Sequence, residues 1–292
     1  MTEPAPYRLR FWGVRGSIPS PGPATTRYGG NTACVTVEAP RASPVVLDAG
    51  TGIRLCGRSL EEAGVGEVVV LLSHTHWDHV QGFPWLPALY RAGATVRVTG
   101  PEGLGEGLER LLARPMWPLA VTARLEIRTV TQLATGVAVD GGFEVSGWSV
   151  RWAALAHPGP TLAYRLERPG SAVVAYATDN ELGGGHGRGA GWGAELVDFM
   201  RGVHTLVHDA TNAEDQLEAR RGWGHSSALE AVELAARAGC RRVVLFHYDP
   251  DHDDAMVDAM LGAARRHAAV LAPSLMVEAA HEGMTLTLEQ EE

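Results

Sequence analysis

The chain has 292 residues, 45% of them hydrophobic and 20% charged, with a formal net charge of −9. This is the composition of a soluble globular protein, and its acidic balance weighs against the basic face that a large nucleic-acid footprint needs. No apolar run approaches the ~18 residues of a membrane span, and the N-terminus lacks the basic-then-apolar pattern of a signal peptide. The three cysteines, Cys34, Cys56 and Cys240, form no CxxC pair and read as small buried residues, so a reducing, cytoplasmic setting is expected.

Strand patterns dominate the first half. Tyr7–Val14 alternates, Thr32–Glu38 and Pro44–Asp48 are β-branched and apolar, and Glu67–Leu72 (EVVVLL) reads as a buried strand. Val80–Ala92 reads as a helix, with Pro84 and Pro87 limiting its first turn. A strand over Thr95–Thr99 and a helix over Leu104–Arg114 follow. Short strands are then expected at Leu125–Val130, Phe143–Ser146, Ser149–Leu155, Leu162–Leu166 and Ala172–Ala177. Gly183–Gly193 (GGGHGRGAGWG) reads as a mobile loop, either a lid or a spacer.

Helices return at Glu195–Arg201, Ala213–Arg221 and Ser227–Ala238; the last carries a Ser227/Glu230 capping pattern and Gly239 as its stop. Arg242–Phe246 is another buried strand, Asp251–Val270 a long helix with acidic residues in its first turn, and Leu275–Ala279 and Met284–Leu288 are closing strands. Two β-rich-then-helical stretches, without strict βαβ alternation, predict sheet packed on sheet with helices outside, in one domain over residues 1–292.

The chemistry concentrates in Ser73–Gly82, which reads Ser-His-Thr-His-Trp-Asp-His-Val-Gln-Gly. His74, His76, Asp78 and His79 are all ligand types that zinc accepts. In an extended turn, side chains two apart point the same way, so His74 and His76 can share one ion while Asp78 and His79 turn toward a second. The motif follows a strand, where open α/β sheets place their sites. Such a centre needs remote partners, and His157, Asp179 and His247 each follow a predicted strand. Trp77, Phe83 and Trp85 either line a cleft or anchor the following helix to the core; anchoring is the commoner use of aromatics at a helix start.

His-Thr-His-Trp-Asp-His resembles the HxHxDH signature of the metallo-β-lactamase superfamily, and the order His157, Asp179, His247 is similar to the later ligand motifs of its phosphodiesterase branch. The resemblance covers nearly the whole chain. Phe11–Pro19 and Tyr28–Thr32 resemble the opening of a bacterial subgroup, and Leu47-Asp-Ala-Gly resembles the superfamily's first motif. His208-Asp-Ala-Thr and Gly224-His-Ser-Ser resemble the HEAT and HST motifs of tRNA 3′-processing endonucleases and related phosphodiesterases. The resemblance implies an α/β fold, a four-layer αβ/βα sandwich, with a dinuclear site between the sheets.

It further implies that His74, His76 and His157 hold one ion, that Asp78, His79 and His247 hold the other, and that Asp179 bridges both. Asp48 would accept a hydrogen bond from a ligand histidine and fix its orientation. Zinc is the first choice, and manganese or iron also fit His/Asp ligands. Two such ions would lower the pKa of a bridging water toward ~7 and supply a hydroxide. Asp78, His225 and Asp209 are the catalytic candidates, with His225 as the acid that protonates the leaving alkoxide and Asp209 orienting it. Arg15, Arg27, Tyr28 and Asn31 are candidates for gripping anionic or polar parts of the substrate.

The expected activity is hydrolysis of a small anionic phosphodiester, such as a cyclic nucleotide. Alternatives are tRNA 3′ processing, hydrolysis of a lactone, thioester or β-lactam, and a sensory or scaffolding module without turnover. Against tRNA stand the net charge, the absence of a Gly/Lys-rich arm, and two departures: Asp209 where that family has glutamate, and Ser227 where its motif has threonine. A complete ligand set disfavours the non-catalytic module, and the lack of a signal peptide disfavours a periplasmic β-lactamase. The branch often forms homodimers.

Overall fold

The β-branched runs assemble into two seven-stranded sheets in a computed structural model that describes residues 6–114, 117–130, 142–183 and 193–288. The first sheet holds Arg8–Gly13 (β1), Cys34–Glu38 (β2), Val45–Leu47 (β3), Glu67–Leu71 (β4), Thr95–Gly100 (β5) and Arg124–Thr129 (β6). The second holds Gly142–Val145 (β7), Trp148–Ala154 (β8), Leu162–Glu167 (β9), Val174–Ala177 (β10), Thr205–Asp209 (β11), Arg242–Phe246 (β12) and Met276–Ala279 (β13). Thr285–Thr287 (β14) returns to pair with β1, so the first sheet runs β14-β1-β2-β3-β4-β5-β6 and the second β13-β12-β11-β10-β9-β8-β7.

Alternation along the strands decides the layering. In β4, Val69 and Leu71 face the space between the sheets, while Val68 and Val70 face outward under the helices Ile53–Glu62 (α1) and Leu104–Leu112 (α3). Three helices, Ala194–Met200 (α4), Ala228–Ala238 (α5) and Asp254–Leu271 (α6), pack their apolar residues on the second sheet. The result is the expected four-layer αβ/βα sandwich, with its main apolar core between the sheets. The three cysteines are free thiols and buried. Among the described residues no helix is long and apolar enough to cross a membrane.

Both sheets contain a run of parallel strands. Leu47, Leu71 and Thr99 are register partners across β3, β4 and β5, and Ala177, His208 and Leu245 across β10, β11 and β12. Parallel register brings the C-terminal ends of these strands to one edge of each sheet. Asp48, the 73–79 motif, Asp179, Asp209 and His247 all sit on that edge. Backbone geometry marks the same edge: of the six non-glycine residues with positive φ among the described residues, Ser17, Asp48, Asp179 and His247 lie there. That region is disfavoured for L-residues with side chains, and it persists where surrounding contacts over-determine the turn.

Two expected helices do not form. Val80–Ala92 breaks into a single α-turn, Trp77–Val80 (α2), and two 3-10 segments, Phe83–Trp85 and Pro87–Tyr90. Pro84 and Pro87 remove two backbone donors and clash with the preceding turn, so an α-helix cannot propagate through them. Ala213–Arg221 yields only a 3-10 turn, Glu218–Arg220. Its side chains past Ala213 are half-buried or exposed, so no apolar face exists to stabilise a helix. Helix α1 was not expected; its buried residues Ile53, Cys56, Gly57 and Leu60 have helical spacing. Residues 184–192 of the expected glycine loop lie outside the described residues.

Helix α5 follows its capping signal. The Ser227 hydroxyl accepts from the Glu230 amide at 3.3 Å, the Glu230 carboxylate accepts from the Ser227 amide at 3.0 Å, and Gly239 ends the helix in left-handed conformation. Ser227→Ala is expected to lower the unfolding free energy by about 1 kcal/mol, measured by urea denaturation.

Candidate metal centre

Asp48 directly follows β3, and its fully buried carboxylate gathers four donors. The Ser73 amide donates to Oδ1 at 2.7 Å; the Ser73 hydroxyl, the Tyr176 hydroxyl and His79 Nδ1 each reach Oδ2 at 2.8 Å. Tyr176 belongs to β10, so this carboxylate ties the first sheet and the histidine motif to the second sheet. Of the motif histidines, His79 is the one that Asp48 hydrogen-bonds directly.

Hydrogen bonding fixes which nitrogen each histidine turns inward. His79 donates through Nδ1 to Asp48, which leaves Nε2 facing the centre. The Ser73 hydroxyl spends its proton on Asp48, so it accepts from His74 Nδ1 at 3.0 Å and leaves His74 Nε2 inward. His157 Nδ1 donates to the Gly224 carbonyl at 2.9 Å. The Thr211 hydroxyl donates to the His247 carbonyl at 2.6 Å and accepts from His247 Nδ1 at 2.9 Å. His76 is the exception: it is exposed and brings Nδ1 to within 3.0 Å of His157 Nε2.

Among the described residues the ligand atoms form four overlapping groups, and within each group they lie within 4.8 Å of one another. Two contain the motif histidines: His74, His76 and His157 form one; Asp78, His79, Asp179 and His247 form the other. The remaining two, His157/Asp179/His225 and Asp209/His225/His247, reach through His225. Asp179 reaches both motif groups. Its Oδ1 is 3.7 Å from both His74 Nε2 and His157 Nε2, and its Oδ2 is 3.2 Å from His79 Nε2 and 3.3 Å from His247 Nε2. Asp78 Oδ2 accepts from the Ser17 amide at 2.7 Å and lies 3.0 Å from His247 Nε2. Gly16 allows this approach, because a Cβ there would stand 2.3 Å from the His247 ring.

The donor set fits divalent cations on two further observations. His74 Nε2 is buried and has no hydrogen-bond partner, an orphaned atom that a metal would satisfy. Burial pulls the His79 imidazole down, yet the charges of Asp78, Asp179 and Asp48 together raise it well above the ordinary histidine range. This half of the site therefore demands positive charge, which a proton on His79 or a divalent cation can supply. Burial lowers His74, and lowers His157 to about 4, so both stay neutral as ligands must.

Beside this cluster, His225 Nδ1 donates to Asp209 Oδ2 at 2.7 Å and lies 3.9 Å from Asp179 Oδ1. Burial opposes protonation of His225, but the Asp209 charge and hydrogen bond hold its pKa up at about 9. The loop before it is clamped by Glu181, which sequence reading missed. This buried carboxylate accepts from the Gly222 amide at 3.0 Å and the Gly224 amide at 2.9 Å. Thr211, Ser73 and Tyr176 were also missed as positioning groups. An acid two residues past Asp179 and a hydroxyl two past Asp209 were the available signals.

The four residues expected to grip substrate are committed elsewhere. Arg15 is fully buried and donates to the carbonyls of Gly29, Asp249 and His252. Arg27 pairs with Asp258, and the Tyr28 hydroxyl donates to Asp258 at 2.8 Å. Asn31 donates its amide side chain to Glu282 at 2.9 Å. These contacts pin the 15–31 loop to α6 and to the turn before β14, and of Arg15 they leave Nη2 buried without a hydrogen-bond partner. The aromatics divide: Phe83 is fully buried as an anchor, whereas Trp77 and Trp85 are exposed, Trp85 edge-on to Trp117 at 5.4 Å.

Residues 44–248 match the family described as "Beta-lactamase superfamily domain", and the chain belongs to that family. It is a metal-dependent hydrolase by family and by donor set. Among its relatives, a protein named Ribonuclease Z from Kineococcus radiotolerans is 28% identical over 251 residues, covering 73% of this chain and 76% of that protein. The fold is shared with YhfI from Bacillus subtilis, described as a metallo-beta-lactamase fold protein, at TM-score 0.70 and 17% identity over 96% of this chain and 98% of that one. It is shared too with the short form of human tRNase Z, at TM-score 0.68 and 19% identity over 97% and 100% of the two chains.

If Asp48 holds the edge together, its removal should lower stability even before any metal is added. Asp48→Ala leaves four buried donors without an acceptor, and is expected to cost at least about 3 kcal/mol of unfolding free energy. Tyr176→Phe removes one donor and should cost about 1 kcal/mol. Denaturant unfolding of both variants checks the ratio.

Proposed function

We propose that the protein hydrolyses a small phosphodiester, such as a cyclic nucleotide, at a centre of two divalent ions. The observation that carries this reading is the position of Asp179, with one carboxylate oxygen toward each histidine group. His74, His76 and His157 would hold one ion, and Asp78, His79 and His247 the other, with Asp179 shared. When bound, two such ions supply an activated water and neutralise phosphate charge. Zinc suits these ligands best, and manganese or iron are the alternatives that elemental analysis separates.

The remaining work falls to side chains. His225 gives its Nδ1 proton to the bond with Asp209, so Nε2 carries the proton that a departing alkoxide needs. Asp209 holds the imidazolium by charge and direction. Asp78 is fixed by the Ser17 amide and keeps His247 in place. Hydrolysis of a phosphodiester with an alkoxide leaving group uses both a charge-neutralising centre and a positioned acid. The name of the Kineococcus relative supports a second reading, RNA 3′ cleavage, which would use the same groups on a larger substrate.

His225→Ala is expected to retain both ions and to lose about 100-fold or more in kcat, the usual worth of a positioned acid. Turnover near wild type would remove His225 as the acid. Asp179→Ala should instead lose bound metal, and two ions retained tightly would remove it as the bridge. A panel of a 3′,5′-cyclic nucleotide, a tRNA precursor and a lactone decides the substrate. Preference for the cyclic nucleotide is expected; preference for the precursor establishes the RNA reading, and for the lactone overturns both.

A further inference from the structure

Two indoles stand exposed beside the cluster, and neither is explained by the core. Trp77 is 56% exposed and Trp223 60% exposed, in a chain that buries Trp148 completely. Their positions are set by their neighbours. Trp77 lies between His76 and Asp78. Trp223 lies between Gly222 and Gly224, whose amides are both held by the buried Glu181 carboxylate. Gly224 in turn accepts from His157, and His157 touches His76 at 3.0 Å. The segments that carry the two indoles are therefore linked through the His157 ring, which bonds Gly224 with one nitrogen and reaches His76 with the other.

The seating of the second segment is tight. Gly224 has φ +87, and a Cβ there would stand 2.3 Å from His157 Nδ1. Trp223 is thus presented from a rigid backbone two residues before His225. The Arg220 guanidinium lies over its ring at 5.5 Å, while Arg220 is itself paired with Asp249 at 2.5 Å. A held cation on one side of a largely exposed indole leaves a planar, electron-rich surface for another flat group.

We infer that Trp77 and Trp223 form a stacking rim for a nucleobase, so that the diester taken by this centre is a nucleotide. The inference rests on the phosphodiesterase reading for its place in turnover, though not for binding. Exposed aromatics beside a phosphate-handling site are what base recognition uses, because every base offers a flat π-face. Among the described residues, Arg27, Tyr28 and Asn31 have side-chain groups bonded to Asp258 and Glu282, and the exposed Trp85 already packs edge-on against Trp117.

The test compares two esters with one leaving group, thymidine 5′-(p-nitrophenyl phosphate) and methyl p-nitrophenyl phosphate, on the metal-loaded enzyme. The wild type is expected to prefer the nucleoside ester in kcat/KM. Trp223→Ala and Trp77→Ala should each reduce that preference about tenfold, chiefly through KM, the usual worth of one stacked base. Trp223→Phe and Trp77→Phe should restore most of it. A purely structural role would lower both ester rates together and leave the ratio unchanged, which would overturn the inference. A second arm needs no turnover: thymidine 5′-monophosphate should quench indole fluorescence and bind about tenfold tighter than ribose 5-phosphate. Equal affinities would overturn it. If neither ester is hydrolysed but the nucleotide still binds preferentially, the diesterase reading fails and the rim stands.

Discussion

The whole arrangement depends on one buried carboxylate. Asp48 accepts from Ser73 twice, from His79 and from Tyr176, and every donor lies within 2.8 Å. A charge with no access to solvent is costly unless it is fully hydrogen-bonded, and these four donors meet that requirement. In doing so they fix the end of β3, the start of the histidine motif and the middle of β10 against each other. The two sheets are therefore held not only by apolar packing, which is non-directional, but by a directional polar contact at the edge where the chemistry sits.

The same contact sets proton positions. Because the Ser73 hydroxyl and His79 both donate to Asp48, the Nδ1 proton of His79 and, through Ser73, that of His74 are assigned. His157 and His247 are assigned by other acceptors, the Gly224 carbonyl and the Thr211 hydroxyl. His74, His79, His157 and His247 thus present Nε2 inward with the opposite nitrogen hydrogen-bonded, an arrangement that raises imidazole basicity and prevents ring rotation. Glu181 extends the logic outward. It holds the Gly222–Gly224 backbone, so that one loop supplies the acceptor for His157, the His225 imidazole and the exposed Trp223.

Much of this was legible in the sequence, for identifiable reasons. The motif residues His74–His79 are adjacent, and ligand types at close spacing survive any uncertainty in fold. His157, Asp179 and His247 were legible because each follows an apolar, β-branched run, and parallel strands end together. The capping box of α5 was legible because its signal is local. Non-local contacts were not legible. Arg15, Arg27, Tyr28 and Asn31 look like surface polar residues, and only the packing of their loop on α6 reveals that Asp258, Glu282 and backbone carbonyls use them. Glu181, Thr211 and Tyr176 act through partners tens to more than a hundred residues away. Helix α1 was hidden because its apolar spacing is interrupted by charged residues, and the stretch after Val80 because prolines turned a helical composition into 3-10 turns.

The central claim is that Asp179 joins two three-residue groups into one centre. The most direct measurement is metal stoichiometry: zinc titrated into chelator-treated protein, with bound metal counted by elemental analysis after removal of free ion. The account predicts two ions per chain, both retained through gel filtration, and phosphodiesterase activity that returns with them. Saturation at one ion per chain, with full activity, would contradict it.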